Sequence, residues 1–414
     1  MAIRGHISLP GDKSISHRAL MLAALCEGES QISNLSTGAD VSYTRRCLKA
    51  CGVEIRDKAY RVVIKGGSLS DPDSVLNCGN SGTTARLLLG LLAGQGINAK
   101  FVGDNSLASR PMERVISPLE NMGLETTRNN GTLPISIKRS TLSGIKYELP
   151  VPSAQVKSAV ILAGLGAQSE TAVIEKIPTR NHTELMLQSL GANISFDGNI
   201  IRVSSAKPLS GFDMSIPGDP STAAFFAAAT ALLPQSELEL RGILLNPTRT
   251  GFFTALQQMG ANIQYLERSE TSGEAVGNLK IISAPLRSVR FGRYEIPGLI
   301  DEIPVLAVAA TQAKGITEVR GAGELRYKEC DRINAICYNL KNMGAQIEKF
   351  EDGFAIEGPS QLQGTTIKTF GDHRIAMAFS IAGLIAEGET TMDDRNCVAV
   401  SYPDFFAKLN GVMA

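Results

Sequence analysis

The residues best suited to chemistry stand in the stretch 11–18, which reads Gly-Asp-Lys-Ser-Ile-Ser-His-Arg. An alternating run precedes it and an apolar run follows it, so the pattern predicts a strand, a tight turn and a helix start. The first backbone N–H groups of a helix lack intrahelical partners and lie at the positive end of the helix dipole, where anions bind well. With Lys13 and Arg18 beside them, the stretch predicts an anion site. The alternative interpretation is a simple helix cap at Asp12 or Ser14, with Lys13 and Arg18 lying in water.

The same stretch superficially resembles a nucleotide-binding P-loop. That motif requires Gly, four residues and then Gly-Lys-Ser or Gly-Lys-Thr. Here Asp12 separates Gly11 from Lys13, so the spacing is wrong. The sequence therefore argues against a nucleotide-triphosphate site of this kind.

The elements that would position these residues belong to a unit that recurs about every 70 residues. One half of the unit is an amphipathic segment that ends at a glycine suited to the left-handed helix C-cap, after which alternation begins. These glycines are Gly52, Gly123, Gly191, Gly260 and Gly344. A sixth copy would fall at the C-terminus, where the segment 405–411 ends without its strands.

The other half of the unit is an alanine-rich helix that is apolar on nearly every side and must therefore be buried on every side. Its six copies begin near Arg18, Thr83, Val156, Thr222, Ile303 and Arg374. This pattern predicts an α/β fold of six βαβαββ units. The 414 residues exceed what one core normally serves, so we expect two domains of three units each.

Polar residues stand just before each buried helix, and several of these boundaries also contain cationic residues. If the units are equivalent, the six helix N-termini point at one interdomain cleft that attracts anions. Ordinary capping explains Asp219, Ser221 and Thr222 at the fourth helix. It does not explain Lys13, Arg18 or Arg374, because a cation opposes the dipole at a helix N-terminus unless an anionic ligand offsets it.

Two loop stretches concentrate further charge. Arg110 precedes a proline at a predicted helix start. The segment 324–332 is rich in both acidic and basic residues, and if it is helical, Lys328, Asp331 and Arg332 share one face. A solvated helix face with ion pairs is the alternative interpretation of such a run.

The composition argues against several classes of function. Basic and acidic residues balance at 41 each, which argues against a general nucleic-acid or membrane-surface binder. The longest apolar run is too short to span a bilayer, and the first ten residues lack the apolar core of a signal peptide. Seven cysteines and four histidines show no metal-ligand spacing, so we expect reduced thiols, no metal and no cofactor.

Seven motifs in order along the chain resemble the 5-enolpyruvylshikimate-3-phosphate synthase family of enolpyruvyl transferases. They are the stretches 11–18, 79–86 (Gly-Asn-Ser-Gly-Thr-Thr-Ala-Arg), 110–112 (Arg-Pro-Met), 153–155 (Ser-Ala-Gln), 301–304 (Asp-Glu-Ile-Pro), 328–332 (Lys-Glu-Cys-Asp-Arg) and 371–374 (Gly-Asp-His-Arg). The motifs are distributed along nearly the whole chain, so the resemblance is not confined to one segment. Ala154 and Val400 depart from the serine and lysine that many members carry there.

The resemblance implies a two-domain enolpyruvyl transferase fold that closes on its substrates at a two-strand hinge. Mapped onto this chain, one domain takes residues 1–13 and 223–414, and the other takes residues 14–222. The implied activity is that of a 3-phosphoshikimate 1-carboxyvinyltransferase of the shikimate pathway, which joins phosphoenolpyruvate to shikimate 3-phosphate and releases phosphate.

The resemblance also implies roles for individual residues. Those expected to bind shikimate 3-phosphate are Lys13, Ser14, Arg18, Ser153, Ala154, Gln155, Thr179, Arg180, Asp301 and Lys328. Those expected to bind phosphoenolpyruvate are Lys13, Gly82, Arg110, Gln155, Arg332 and Arg374. Asp301 would accept the proton of the attacking hydroxyl, and Glu329 or Lys13 would supply the proton to phosphoenolpyruvate.

Two other functions compete with this interpretation. The sister transferase that acts on UDP-N-acetylglucosamine uses a cysteine in the loop before its Arg-Pro pair, whereas residues 103–110 contain no cysteine. A non-catalytic repeat scaffold or binder of RNA ends would carry stacking aromatics, but this chain has few aromatics and no tryptophan. We therefore expect a monomeric cytoplasmic enzyme that acts on small molecules, without nucleic-acid or membrane partners.

Overall fold

A computed structural model describes residues 1–67, 69–205 and 208–414. The chain divides into two compact units. Unit 1 comprises Met1–Asp12, Pro217–Glu270 and Ala275–Ala414, and unit 2 comprises Lys13–Ile216 and Thr271–Glu274. We propose that these units are the two domains predicted from the sequence, with the boundaries a few residues earlier in the chain.

The first three repeats carry their helices in unit 2. The first contains β1 (Arg4–Ser8), α1 (Lys13–Leu25), β2 (Gly28–Ser33), α2 (Ala39–Ala50), β3 (Glu54–Lys58) and β4 (Arg61–Gly66). The second contains β5 (Leu76–Asn77), α3 (Gly82–Gly94), β6 (Ala99–Val102), α4 (Asn105–Ala108), α5 (Glu113–Asn121), β7 (Glu125–Asn129) and β8 (Thr132–Lys138). The third contains β9 (Lys146–Glu148), α6 (Ala154–Gly164), β10 (Thr171–Ile174), α7 (His182–Ser189), β11 (Ile194–Asp197) and β12 (Ile200–Val203).

The last three repeats carry their helices in unit 1. The fourth contains β13 (Asp213–Ser215), α8 (Pro220–Leu232), β14 (Glu237–Leu244), α9 (Gly251–Gln258), β15 (Asn262–Thr271) and β16 (Glu274–Ile282). The fifth contains β17 (Arg290–Phe291), α10 (Ile303–Ala310), β18 (Gly315–Val319), α11 (Arg332–Asn342), β19 (Gln346–Lys349) and β20 (Phe354–Gly358). The sixth contains β21 (Thr366–Ile367), α12 (His373–Ile385), β22 (Thr391–Met392) and α13 (Phe405–Val412).

The same sheet topology recurs from repeat to repeat. In the second, the strand order is β5-β6-β8-β7, in which β5 and β6 are parallel and the remaining pairs are antiparallel. The third and fifth repeats have the equivalent orders β9-β10-β12-β11 and β17-β18-β20-β19. The sixth repeat has only the parallel pair β21-β22. The predicted six βαβαββ units, with an incomplete sixth, are therefore confirmed.

The first and fourth repeats exchange their first strands. β1 pairs in parallel with β14 of the fourth repeat, and β13 pairs in parallel with β2 of the first. The chain passes from unit 1 to unit 2 between Asp12 and Lys13, and it returns between Ile216 and Pro217. Each unit thus completes one of its sheets with a strand whose own repeat continues in the other unit.

The six apolar helices are α1, α3, α6, α8, α10 and α12, as predicted. In α8, every residue from Pro220 to Ala231 is buried, which accounts for its lack of a polar face. The five predicted C-cap glycines all adopt the left-handed conformation, with φ between 75° and 105°. Within the described ranges, every helix is too short or too polar to cross a lipid bilayer.

Close packing of α3 against α6 depends on glycine. A Cβ atom at Gly90 would lie 2.1 Å from the carbonyl oxygen of Ala159, and one at Gly94 would lie 2.9 Å from that of Ala163. Only glycine therefore allows the two helix backbones to approach this closely. The contact aligns the helices along their length and so brings side chains at their N-terminal ends within reach of each other.

Candidate active site

Lys13 is the first residue of α1, and its positive charge is balanced by a carboxylate of the same unit. Its Nζ atom lies 2.9 Å from Oδ2 of Asp40, the second residue of α2. The side chains remain 17% and 9% exposed, so the pair is accessible to a ligand. A carboxylate of the protein thus contributes to stabilising a cation that opposes the dipole at this helix start.

Arg18 lies one turn further along α1 and is buried among hydroxyl groups. It donates hydrogen bonds of 2.7 Å to the side chains of Ser14, Ser158 and Thr183. Ser158 belongs to α6 and Thr183 to α7, so one guanidinium ties three helices together. At 2% exposure, Arg18 is fixed in orientation, which excludes the alternative that it lies in water.

Gln155 is held by the second repeat. Its Oε1 atom accepts a hydrogen bond of 2.5 Å from Arg86, and its Nε2 atom donates one of 2.9 Å to Thr83. Arg86 also donates to the carbonyl oxygen of Pro111. These bonds orient the Gln155 amide and connect the start of α6 with the loop that carries Arg110.

Arg110 and Gly82 form the neighbouring part of the same cluster. Arg110 is buried and donates to Asn80 at 2.5 Å and to Ser106 at 3.1 Å. A Cβ atom at Gly82 would lie 3.2 Å from Nη1 of Arg86 and 3.6 Å from Nη1 of Arg110. The first backbone N–H groups of α3 therefore stand beside two guanidinium groups, which is a favourable arrangement for an anion.

The remaining predicted residues of unit 2 lie around the start of α6 and the loop after β10. Ser153 caps α6 through a hydrogen bond from the Val156 amide, and Ala154 follows it as the first helical residue. Thr179 donates from both its amide and its hydroxyl to Glu175, and Arg180 follows half-buried.

In unit 1, three cationic side chains lie around the carboxylate of Asp301. Its Oδ1 atom accepts hydrogen bonds from Lys328 at 3.1 Å and from Arg332 at 3.3 Å, and its Oδ2 atom lies 3.8 Å from Nη2 of Arg374. Arg374 also donates to the main-chain oxygen of Asp301 and to Glu302. Asp301 is only 8% exposed, so its carboxylate is enclosed together with these cations.

Arg332 is the most enclosed cation of this group. It donates to Asp372 at 2.8 Å and to Glu329 at 2.6 Å, and its side chain is 1% exposed. Burial alone would lower the Arg332 pKa, but the charges of Asp372, Glu329 and Asp301 outweigh burial and raise it. Arg332 therefore stays charged, and Glu329 is held as its ion-pair partner.

The charged run 324–332 is not one helix. Gly323–Tyr327 form a short 3-10 turn, Lys328 is extended, and α11 begins only at Arg332 with Asp331 as its cap. The condition for a shared helix face is therefore not met, and Lys328, Asp331 and Arg332 do not share one. The alternative of a solvated face is also wrong for Arg332, because the loop turns it into the interior.

The predicted site residues thus form two groups, one within each unit. Sequence reasoning missed the carboxylates that hold the cations, among them Asp40, Glu175 and Asp372. It also missed Arg249 of unit 1, a buried side chain that bonds to Asp12 and Asp219. Asp372 caps α12 within a recognised motif, which was a usable signal, but nothing near Arg249 in the sequence identified its partners.

The two groups share a chemical character suited to anionic substrates. Both groups contain guanidinium groups, which suit the binding of carboxylate and phosphate, and those of unit 1 stand beside the carboxylate of Asp301. Among the residues that the structure describes, no group of three or more His, Cys, Asp or Glu side chains is arranged to hold a metal ion. All seven cysteines are unbridged, and all but Cys330 are buried.

Comparison with known proteins gives a consistent result. A sequence model of the family described as EPSP synthase (3-phosphoshikimate 1-carboxyvinyltransferase) matches residues 1–409. The chain is 47% identical to a 3-phosphoshikimate 1-carboxyvinyltransferase of Thermodesulfovibrio yellowstonii, with 98% of this chain and 96% of that protein covered. It is 48% identical to one of Synechococcus sp., with 98% and 94% covered. Its structure is similar to that of EPSP synthase from Acinetobacter baumannii, with a TM-score of 0.88, 40% identity and 99% and 96% coverage.

Proposed function

The chain belongs to the EPSP synthase family, and we propose the residues with which it carries out the family's reaction. The enzyme transfers the enolpyruvyl group of phosphoenolpyruvate to the 5-hydroxyl of shikimate 3-phosphate. The products are 5-enolpyruvylshikimate 3-phosphate and phosphate. This is a step of the shikimate pathway towards chorismate and the aromatic amino acids.

Shikimate 3-phosphate is bound mainly by unit 2. We assign its phosphate and carboxylate to Lys13, Ser14, Arg18, Ser153, Gln155, Thr179 and Arg180, with Ala154 contributing its backbone amide. Asp301 and Lys328 of unit 1 contact the ring hydroxyls. The hydroxyl-held Arg18 supports this assignment, because its orientation is set before the ligand arrives.

Phosphoenolpyruvate is bound by cations from both units. We assign its phosphate and carboxylate to Lys13, Gly82, Arg110, Gln155, Arg332 and Arg374. The proximity of Gly82 to the tip of Arg110 supports the unit 2 part of this set, and the shared contacts of Arg332 and Arg374 with Asp301 support the unit 1 part.

The observation that carries the mechanism is the Asp301 carboxylate among three cations. Asp301 takes the proton of the 5-hydroxyl as that oxygen bonds to C2 of phosphoenolpyruvate, while Glu329 or Lys13 donates a proton to C3. The tetrahedral intermediate then breaks its C2–phosphate oxygen bond and loses a C3 proton, which restores the double bond. Arg332 and Arg374 stabilise the charge that moves onto the departing phosphate.

Phosphate release tests the reaction directly. We expect release from phosphoenolpyruvate with shikimate 3-phosphate and none with UDP-N-acetylglucosamine. Asp301→Ala should abolish turnover while shikimate 3-phosphate binding stays measurable by calorimetry, and Glu348→Ala, an exposed change in β19, should leave turnover unchanged. Near-normal turnover of Asp301→Ala would remove Asp301 from the mechanism.

Deuterium incorporation in two variants identifies the residue that donates the proton to C3. In deuterated water, the donor variant should lose incorporation of deuterium at C3 together with turnover. Glu329→Gln removes the acid but keeps the shape, and Lys13→Met removes the ammonium. If both variants retain incorporation, neither residue donates the proton.

We further propose that the enzyme works as a cytoplasmic monomer on small molecules, without nucleic-acid or membrane partners. The balance of 41 acidic and 41 basic residues supports this assignment. Light scattering coupled to size exclusion should give a mass near 44.1 kDa. A mass of twice that value would contradict the monomer.

A further inference from the structure

Arg249 is a buried cation of unit 1 that has no role in the reaction described above. It lies between β14 and α9, and its side chain is 3% exposed. Nη1 donates to Oδ2 of Asp12 at 2.5 Å, while Nη2 donates to Ser221 at 2.9 Å and lies 3.3 Å from Oδ1 of Asp219. Burial alone would lower its pKa, but Asp12, Asp219 and Glu302 raise it, so the group stays charged.

The two carboxylates lie on the two segments by which the chain leaves and re-enters unit 1. These segments are also bonded to each other. The amide of Asp12 donates to the carbonyl oxygen of Pro217 at 2.8 Å, and the amide of Asp219 donates to that of Pro10 at 3.0 Å. The Arg249 guanidinium therefore adds side-chain bonds between two segments that backbone hydrogen bonds already join. Its Nη1 atom bonds to the segment with Asp12, and its Nη2 atom bonds to the segment with Asp219.

The residue after Asp12 is Lys13, the first residue of α1. We propose that Arg249 is a positioning residue, because its guanidinium holds the segments 9–12 and 217–219 together and so fixes how Lys13 is presented. The inference rests on the role in substrate binding proposed for Lys13. Glu302 connects Arg249 with a second predicted site residue. Its carboxylate lies near Arg249 and accepts a hydrogen bond of 3.3 Å from Arg374.

The sharpest variant is Arg249→Lys. It keeps the charge, but a single ammonium cannot replace two nitrogens that serve different carboxylates. We expect kcat/KM for phosphoenolpyruvate to fall about 10- to 100-fold, the size of effect that small misplacement of a reacting group produces. The dissociation constant of shikimate 3-phosphate should change less than about threefold, because most of the residues assigned to it lie outside α1.

Two controls separate positioning from stability. Arg320→Lys changes a half-exposed arginine of unit 1 that pairs with Glu318, and it should leave both constants unchanged. Ile281→Val trims a fully buried side chain of β16, and it should lower the melting temperature without selective loss of kcat/KM for phosphoenolpyruvate. If Arg249→Lys behaves like Ile281→Val, Arg249 is only structural and the proposal is wrong.

A double-mutant cycle tests the route through Lys13. If Arg249 acts by placing Lys13, Arg249→Lys should add little to the loss caused by Lys13→Met. Fully additive losses would overturn the proposal.

Hydrogen exchange without substrate gives a readout that does not depend on the assigned reaction. Amides 11–16 of Arg249→Lys should exchange at least about tenfold faster than in the parent chain, while those of α6 stay unchanged. Unchanged exchange at 11–16 would overturn the proposal even if the parent enzyme is active. Faster exchange in an enzyme that releases no phosphate would instead refute the proposed function alone.

Discussion

The buried site arginines of the two units are held by different chemistry. In unit 2, hydroxyl and amide groups accept the hydrogen bonds of Arg18 and Arg110. In unit 1, carboxylates accept those of Arg332 and Arg374. Neutral partners orient a cation without neutralising it, whereas carboxylate partners balance its charge within the protein. We infer that the unit 2 arginines are suited to binding anions and the unit 1 arginines to holding charges that shift during the reaction.

The largest difference should appear in stability when a buried cation is removed from unit 1. Arg332→Met leaves Asp372, Glu329 and Asp301 without their shared partner, and breaking such a buried pair costs about 3–5 kcal/mol. Urea unfolding followed by circular dichroism measures the loss. Arg320→Met, at a half-exposed ion pair, should cost less than about 1 kcal/mol. A small loss for Arg332→Met would show that the carboxylates do not depend on it.

The matching change in unit 2 should affect binding more than stability. Arg18→Met leaves hydroxyls rather than carboxylates, and the hydroxyl of Thr183 already donates to Ser158 at 2.8 Å. We expect about 1–2 kcal/mol of lost stability, but about 10- to 100-fold weaker shikimate 3-phosphate binding by calorimetry, because a charge-assisted bond to the ligand disappears. Equal losses of stability in Arg18→Met and Arg332→Met would remove the distinction between the units.

Helix packing beneath the unit 2 group should have a smaller effect on substrate binding. Gly90→Ala places a Cβ atom 2.1 Å from a carbonyl oxygen of α6, and overpacking of this kind costs about 1–3 kcal/mol. The displaced helices should also loosen the hydrogen bond between Thr83 and Gln155 and raise the KM for phosphoenolpyruvate. Thermal unfolding and steady-state kinetics check both effects. Gly323→Ala, where nothing lies within 4 Å, is the matched control in unit 1.

The smallest expected effect is a gain in affinity for shikimate 3-phosphate. Ala154→Ser adds a hydroxyl to the first residue of α6, where the helix N-terminus already favours an anion. One additional neutral hydrogen bond contributes about 1 kcal/mol, so shikimate 3-phosphate should bind about fivefold more tightly with unchanged stability. Calorimetry measures the change. Unchanged or weaker binding would place the substrate phosphate away from this position.

Much of the fold could be predicted because local pattern determines it. The start of α10 was predicted at Ile303, where it lies, and the starts of α3 and α12 were predicted within one residue. Continuous apolar composition identified the buried helices, and glycine marked the ends of the amphipathic ones. The exchange of β1 and β13 was only partly foreseen, since the prediction assigned the first strand to the discontinuous domain but did not identify its pairing with β14.

The candidate site was harder to predict because its partners are distant in the sequence. Asp372 lies 40 residues from Arg332, and Asp12 lies 237 residues from Arg249. Residue types at helix starts indicate which groups could bind an anion, but they do not show which carboxylate folds against them. The charged run 324–332 illustrates this limit, because its composition does not show whether it is helical, whereas in the structure a turn and a loop direct Arg332 inward.

The strand exchange has a consequence for synthesis on the ribosome. Apart from the short segment 271–274, unit 2 is one continuous stretch, so all its sheets are complete once Ile216 has been made. β1 is translated first, yet its partner is finished much later, since Arg4 pairs with Glu237. β1 therefore lacks its partner strand in the nascent chain during the whole time in which the residues of unit 2 up to Ile216 are made.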